Sequence, residues 1–251
     1  YGPRPADEVQ RFTLAAVAAL LAHDVKLLVV ACNTATAQAL PQVRSVSRVP
    51  VIGVVRPGAL AVAAATRSQH VGVLATAGTV ASGAYPRAIR DARADLIVHQ
   101  QACPDLVPLV EAGTLEGPEI ESAIDRYLAV LREKDDEIDT LLLGCTHYPL
   151  LRALIERAAG PAVAVVDSAL TTALAVEDLL DELQSRAPAR EAAEPPQHRI
   201  LTTGDVDAFS AVAERVFGAE LPAVEEAIVE QPASAGALPP VAFEAASVRR
   251  G

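Results

Sequence analysis

A chain of 251 residues with 51% hydrophobic side chains has apolar material for one large or two small domains, each with its own core. A net charge of −11 and only 3% aromatic residues argue against nucleic-acid binding, which relies on phosphate neutralisation and base stacking. The same charge repels an anionic membrane surface. No apolar run approaches the ~20 residues of a membrane-spanning helix, and no secretory signal is visible at the start. Three cysteines, an odd number without framework spacing, point to reduced thiols in a cytoplasmic protein. CxxC, HxH and HExxH spacings are all missing, so metal ligation is only weakly signalled. The sequence contains no methionine and begins at Tyr1-Gly2-Pro3, so a preceding piece of the reading frame is expected.

In chain order, residues 7–22 have a helical pattern and lead into an apolar run at 25–31 (VKLLVVA). A helix over 34–44 and strands at 51–55 (VIGVV) and 70–75 (HVGVLA) come next. A helix over 77–92, a strand at 95–99, a helix over 118–133 and a strand at 138–143 (IDTLLL) follow. A helix over 149–159, a strand at 162–166, a helix over 168–186 and a strand at 199–202 complete the pattern. Short apolar runs without alternation suit strands buried on both faces, and strands alternating with helices imply βαβ units in parallel sheets. Residues 187–198 (APAREAAEPPQH) read as a linker or surface loop, and the chain from about residue 225 as a disordered tail. Similar strand–Cys–Thr–helix junctions at 27–36 and 141–150 suggest two related lobes.

Those junctions carry the chemistry. In open α/β sheets ligands bind at the carboxyl ends of strands, which is where Cys32 and Cys145 fall. Asn33, Thr34 and Thr146 are helix-capping types, and free amides at a helix start suit an anion such as a carboxylate. A helix N-terminus also lowers a nearby thiol pKa. Cysteine is often a small buried hydrophobe, and Cys103, without such a setting, reads as one. Two thiols facing one ligand allow disulfide redox cycling, metal binding or two-base proton transfer. Their placement in separate βα units suits opposite walls of a cleft better than a redox pair.

The stretches VVACNTATA (29–37), VIGVVRPGA (51–59), LATAGTVASGAY (74–85), ACPDLVPLVEAG (102–113) and LLLGCTHYPLL (141–151) together resemble glutamate racemase, a branch of the aspartate/glutamate racemase superfamily. YGPRPADEV (1–9) is similar to the family's YGPKS-type turn, and the resemblance runs to about residue 225. It implies two similar α/β lobes with mainly parallel sheets, related by a pseudo-twofold axis, with the active site in the cleft between them. The first lobe would comprise residues 1–58 and 170–224, and the second 59–169. The implied activity is cofactor-independent interconversion of L- and D-glutamate for bacterial peptidoglycan, by an enzyme that can form a homodimer. By analogy Cys32 and Cys145 exchange the Cα proton, Cys145 acting on L-glutamate and Cys32 on D-glutamate, with His147 and Glu111 beside Cys145. Tyr1, Gly2, Asn33, Thr34, Thr76, Thr79, Thr146 and His147 match substrate-binding positions.

The sequence departs from that pattern in two places. The strand and Asp-Ser-Gly loop that usually precede the YGPKS-type segment are not present, so Cys32 is expected to lack its acidic partner, leaving the chain inactive or poorly folded. Arg56 also stands where a glutamate is common. The rival readings are an aspartate racemase of the superfamily, a binding protein without catalysis, and a zinc site built from Cys32, Cys145 and His147. Retention of His147 speaks for glutamate.

Overall fold

The computed structural model describes residues 1–188, 198–217 and 222–229. Helix α1 (Ala6–Leu21) starts with Asp7 and Glu8 in its first turn, where the helix dipole favours acid. It buries Val9, Leu14, Val17 and Leu21 against the strand β1 (Leu28–Val30) and the helix α2 (Asn33–Val46). Strand β2 (Val51–Gly53) lies parallel to β1, with Val29 opposite Ile52. The expected strand over 51–55 stops at Gly53 because the chain turns into helix α3 (Val55–Ala65). The amide of Val54 is taken by the Thr36 hydroxyl at 3.3 Å, and Pro57 sits in the first turn of α3, where a missing amide costs nothing.

Strand β3 (His70–Ala75) leads to two short helices, α4 (Ala77–Ser82) and α5 (Ala84–Ala92). One helix was expected over 77–92, but Gly83 takes the left-handed conformation, with φ +62°, and breaks it. Strand β4 (Ile97–Ala102) extends past the expected 95–99 because it pairs with β3 from His70↔Ile97 to Ala75↔Ala102. Helices α6 (Leu106–Glu111) and α7 (Pro118–Lys134) lead to strand β5 (Thr140–Gly144). A 3₁₀ turn (Tyr148–Leu151) and helix α8 (Arg152–Ala159) replace the single helix read at 149–159. Strand β6 (Ala164–Asp167) and helix α9 (Ala169–Glu182) follow, and β7 (Ile200–Thr202), α10 (Val206–Phe217) and β8 (Val224–Glu226) form a further βαβ unit.

Every strand pairing among the described residues is parallel, so the α/β reading with parallel sheets stands. The expected division at residues 58 and 59 falls inside α3, and the expected tail begins within β8. Most of the expected linker (189–197) and of the tail (230–251) lies outside the described residues.

The larger sheet has the order β4-β3-β5-β6. Side chains that alternate along β3 and β5 build two cores. Val71, Val73, Ala75 and Leu142 face Val55, Ala59, Val62, Tyr85 and Ile89 of α3 and α5. Leu74, Leu141 and Leu143 face Ile124, Leu128 and Leu131 of α7, with Tyr148, Leu151 and Ile155 beyond. Both faces are covered, which is why these strands are apolar throughout. After β3 the chain leaves for one edge, and after β4 it crosses back to β5. The order therefore reverses between β3 and β5, the point at whose carboxyl ends ligands bind in sheets of this kind. At the other end of the sheet Asp139 ties the α3–β3 loop to β5. Its carboxylate accepts from the Thr66 hydroxyl (2.6 Å), the Arg67 and Ser68 amides (2.8 and 2.7 Å) and the Thr140 hydroxyl (2.9 Å).

Candidate active site

Cys32 follows β1 and caps α2. Its backbone is extended, and its sulfur accepts from the Ala35 amide at 3.5 Å, so the thiol sits at a helix N-terminus as its sequence position implies. The half-buried sulfur is free, as are those of Cys103 and Cys145. The Thr36 hydroxyl, bonded to the Val30 carbonyl at 2.7 Å, stitches the first turn of α2 to β1.

Cys145 follows β5 and is buried. Burial pushes its thiol up to about 11, while amides of His147 and Tyr148 pull it down and the charge of Cys32 pushes it up further. The two thiols, far apart in sequence, thus lie within electrostatic reach of each other. The His147 Nδ1 is 3.8 Å from the Cys145 sulfur, and its Nε2 is 2.6 Å from the Glu111 Oε1. With Glu111 at the last position of α6 holding the Nε2 proton, Nδ1 is left as an acceptor facing the thiol. Sulfur, imidazole and carboxylate form one chain from the buried thiol to half-exposed Glu111.

Three buried threonines cluster beside the first turn of α2. The Oγ1 of Thr34 lies 2.9 Å from that of Thr76 and 3.2 Å from that of Thr79, and Thr76 donates to Thr79 at 3.0 Å. The Gly2 carbonyl accepts from the Gly78 amide at 2.9 Å, and a Cβ at Gly2 would stand 3.0 Å from the Thr76 Cβ, so the Tyr1-Gly2 segment is pressed onto that cluster. Tyr1 stacks on Phe12 with 6.0 Å between ring centres. Burial raises its pKa, and the charge of Cys32 raises it further. Thr146 donates to the Ala31 carbonyl at 3.3 Å, joining the turn after one cysteine to the residue before the other.

All eleven site residues expected from the sequence therefore meet at one end of the strands. A twelfth, Tyr85, was not singled out; its hydroxyl donates to the Asn33 Oδ1 at 2.5 Å. Cys103 is buried, and burial pushes its thiol well above the ordinary range, as suits a packing residue. Arg56 is exposed on α3. Among the described residues no group of three His, Cys, Asp or Glu side chains is arranged to hold a metal ion, and no helix is long and apolar enough to cross a membrane.

Comparison with known proteins agrees with this geometry. The Asp/Glu/Hydantoin racemase family matches residues 2–176. A glutamate racemase of Oceanobacillus iheyensis is 42% identical over 219 residues, which cover 86% of this chain and 78% of the relative. Among solved structures, a glutamate racemase from Bacillus anthracis superposes with a TM-score of 0.79 at 37% identity, covering 92% of this chain and 83% of that one. One from Francisella tularensis in complex with D-glutamate gives 0.81 at 28% identity, covering 91% and 83%. With two strand-end thiols on hydrogen-bonded turns and matches that span most of its length, the chain belongs to the Asp/Glu/Hydantoin racemase family, among its glutamate racemases.

Proposed function

We propose that this protein interconverts L- and D-glutamate without a cofactor, passing protons between Cys32, Cys145 and the substrate Cα. The observation that carries the reading is the pair of thiols at the ends of β1 and β5, their turns joined by the Thr146–Ala31 hydrogen bond, with buried hydroxyls and helix-start amides beside them. The α-carboxylate is held by the amides at the start of α2 together with Asn33 and Thr34. Thr76, Thr79, Thr146 and the Tyr1-Gly2 segment position the rest of the amino acid. The thiolate on one face takes the Cα proton, and the electron pair left on carbon spreads into the carboxylate. The thiol on the other face then delivers its proton to carbon. One proton leaves and one arrives, so the product is the mirror image and the cysteines have exchanged protonation states. Cys145, with its pKa at about 11, rests as the thiol and is the acid when D-glutamate enters. When L-glutamate enters, Cys145 must first lose its proton, and His147 Nδ1 receives it with Glu111 stabilising the imidazolium.

The three free cysteines suit a cytoplasmic location. Leu60, Leu170 and Leu174, exposed on the packed helices α3 and α9, suit a homodimer contact. The product would serve peptidoglycan synthesis. Solvent deuterium incorporation at Cα of L-glutamate, D-glutamate and L-aspartate tests the reading. Racemisation of glutamate, slowed about 10³-fold or more by either Cys32→Ala or Cys145→Ala, is expected. A folded chain that incorporates no deuterium overturns it, as does racemisation that survives either substitution. Faster exchange with L-aspartate would move the substrate to the smaller acid.

A further inference from the structure

Tyr85 is fully buried, yet its hydroxyl reaches out of the core to the Asn33 side chain. Gly83, which breaks the helix in front of it, sets the direction of α5 and so turns the ring inward. The ring lies in a niche between two other glycines. A Cβ at Gly144 would stand 2.9 Å from the Tyr85 Cε2, and one at Gly58 would stand 3.3 Å from its Cε1 and hydroxyl. Gly144 immediately precedes Cys145 and Asn33 immediately follows Cys32. One side chain thus touches both cysteine-bearing turns, by packing on one side and by a hydrogen bond on the other.

The direction of that bond has a chemical consequence. Burial keeps the phenol protonated far above neutral pH, so Tyr85 has a proton to give at any working pH. The Asn33 carboxamide must then present its oxygen to Tyr85, and its NH₂ points the other way. Asn33 is buried at the start of α2, between Cys32 and Thr34 in the chain. With its oxygen taken by Tyr85, the carboxamide keeps its NH₂ as the free donor and cannot rotate to present an acceptor that would repel a carboxylate.

We infer that Tyr85 is a positioning residue that locks the Asn33 carboxamide with its NH₂ toward the substrate carboxylate and holds Asn33 in register with the Cys145 turn. This rests on the racemase reading and adds to it a residue that touches no substrate. Tyr85→Phe keeps the ring and its niche and removes only the proton donor. It is expected to lower kcat/KM for glutamate about 10- to 100-fold, with KM raised in both directions of reaction, because a misoriented donor weakens the carboxylate contact. Asn33→Ala and the double substitution complete a cycle. If Tyr85 acts through Asn33, adding Tyr85→Phe to Asn33→Ala costs nothing further. A residue that only supports the fold would slow both backgrounds equally.

Full activity in Tyr85→Phe, or losses that simply add in the double variant, overturns the inference. Should Tyr85→Phe fail to fold, the hydroxyl proton of Tyr85 in the unsubstituted chain reports on the same bond by NMR. A slowly exchanging hydroxyl signal close to the Asn33 side chain is expected, and a hydroxyl proton that exchanges freely with water overturns the inference. That spectrum also separates the two proposals, because an unsubstituted chain that racemises nothing overturns the racemase reading while the hydroxyl signal still decides the role of Tyr85.

Discussion

At the scale of single residues, the site depends on what each side chain does to the thiol nearest it. In the proposed racemisation Cys145, buried enough to stay protonated, can act as a base only through the neighbouring imidazole, and Glu111 is the partner that would hold that imidazole in the required tautomer. Glu111→Gln keeps a polar partner for Nε2 but removes the charge that stabilises an imidazolium. The expected outcome is a fall of about 10- to 100-fold in kcat/KM for glutamate, equal in the two directions because L- and D-glutamate have the same energy. Initial rates in both directions check it, and an unchanged kcat/KM would show that the relay does not serve Cys145. The positions of Cys32, Cys145, His147 and Glu111 at strand and helix ends were legible because short motifs mark them. The setting of Tyr85 was not, since the role proposed for it arises only when residues 33, 58, 85 and 144 are brought together. In the stretch ASGAYPRAI the same tyrosine reads as one more apolar position on a helix.

At the scale of elements, the errors share a cause, namely that a local pattern yielded to a contact made elsewhere. VIGVV looks like five residues of strand, yet Thr36 claims the amide of Val54 and the strand ends. The segment 77–92 has a helical composition, and one left-handed glycine divides it. The turn that carries Asp139 shows the energetic side of such contacts. Burial pushes this carboxyl up, but hydrogen bonds from Thr66, Ser68, Arg67 and Thr140 outweigh it and hold the group at about 2. Asp139→Ala strands these donors at the joint between the α3–β3 loop and β5, so a loss of about 2 kcal/mol is expected in denaturant unfolding at neutral pH. The folded pKa lies below the ordinary carboxyl value of 3.8. The stabilisation is therefore complete above that value and fades as pH falls through about 2. The deficit of Asp139→Ala should accordingly shrink in acid, and a deficit that does not change with pH would assign the loss to packing instead.

At the scale of the whole molecule, the parts differ in how they are assembled. The β4-β3-β5-β6 sheet is built from one continuous stretch of chain, with both faces covered. The two-stranded β1–β2 sheet draws support from far along the sequence, through α9 packed near β2 and through Lys26, whose ammonium donates to the Ser185 carbonyl at 2.7 Å. Native-state hydrogen exchange should therefore find the amides of Leu141–Leu143 more protected than those of Leu28–Val30, and the reverse order would contradict this ranking of the sheets. Short apolar runs separated by helices disclosed the strands of both these sheets in the sequence. They could not disclose which would depend on residues more than a hundred positions away, because pairing at that distance leaves no local periodicity. The link from Lys26 to Ser185 also has a meaning in time. A ribosome delivers α1 to β2 ahead of the larger sheet, but the backbone carbonyl that receives Lys26 emerges only after the whole β3–β6 sheet has been made. The segment made before that sheet is thus completed after it, and the Cys32 arm gains its full support once the Cys145 arm is already in place.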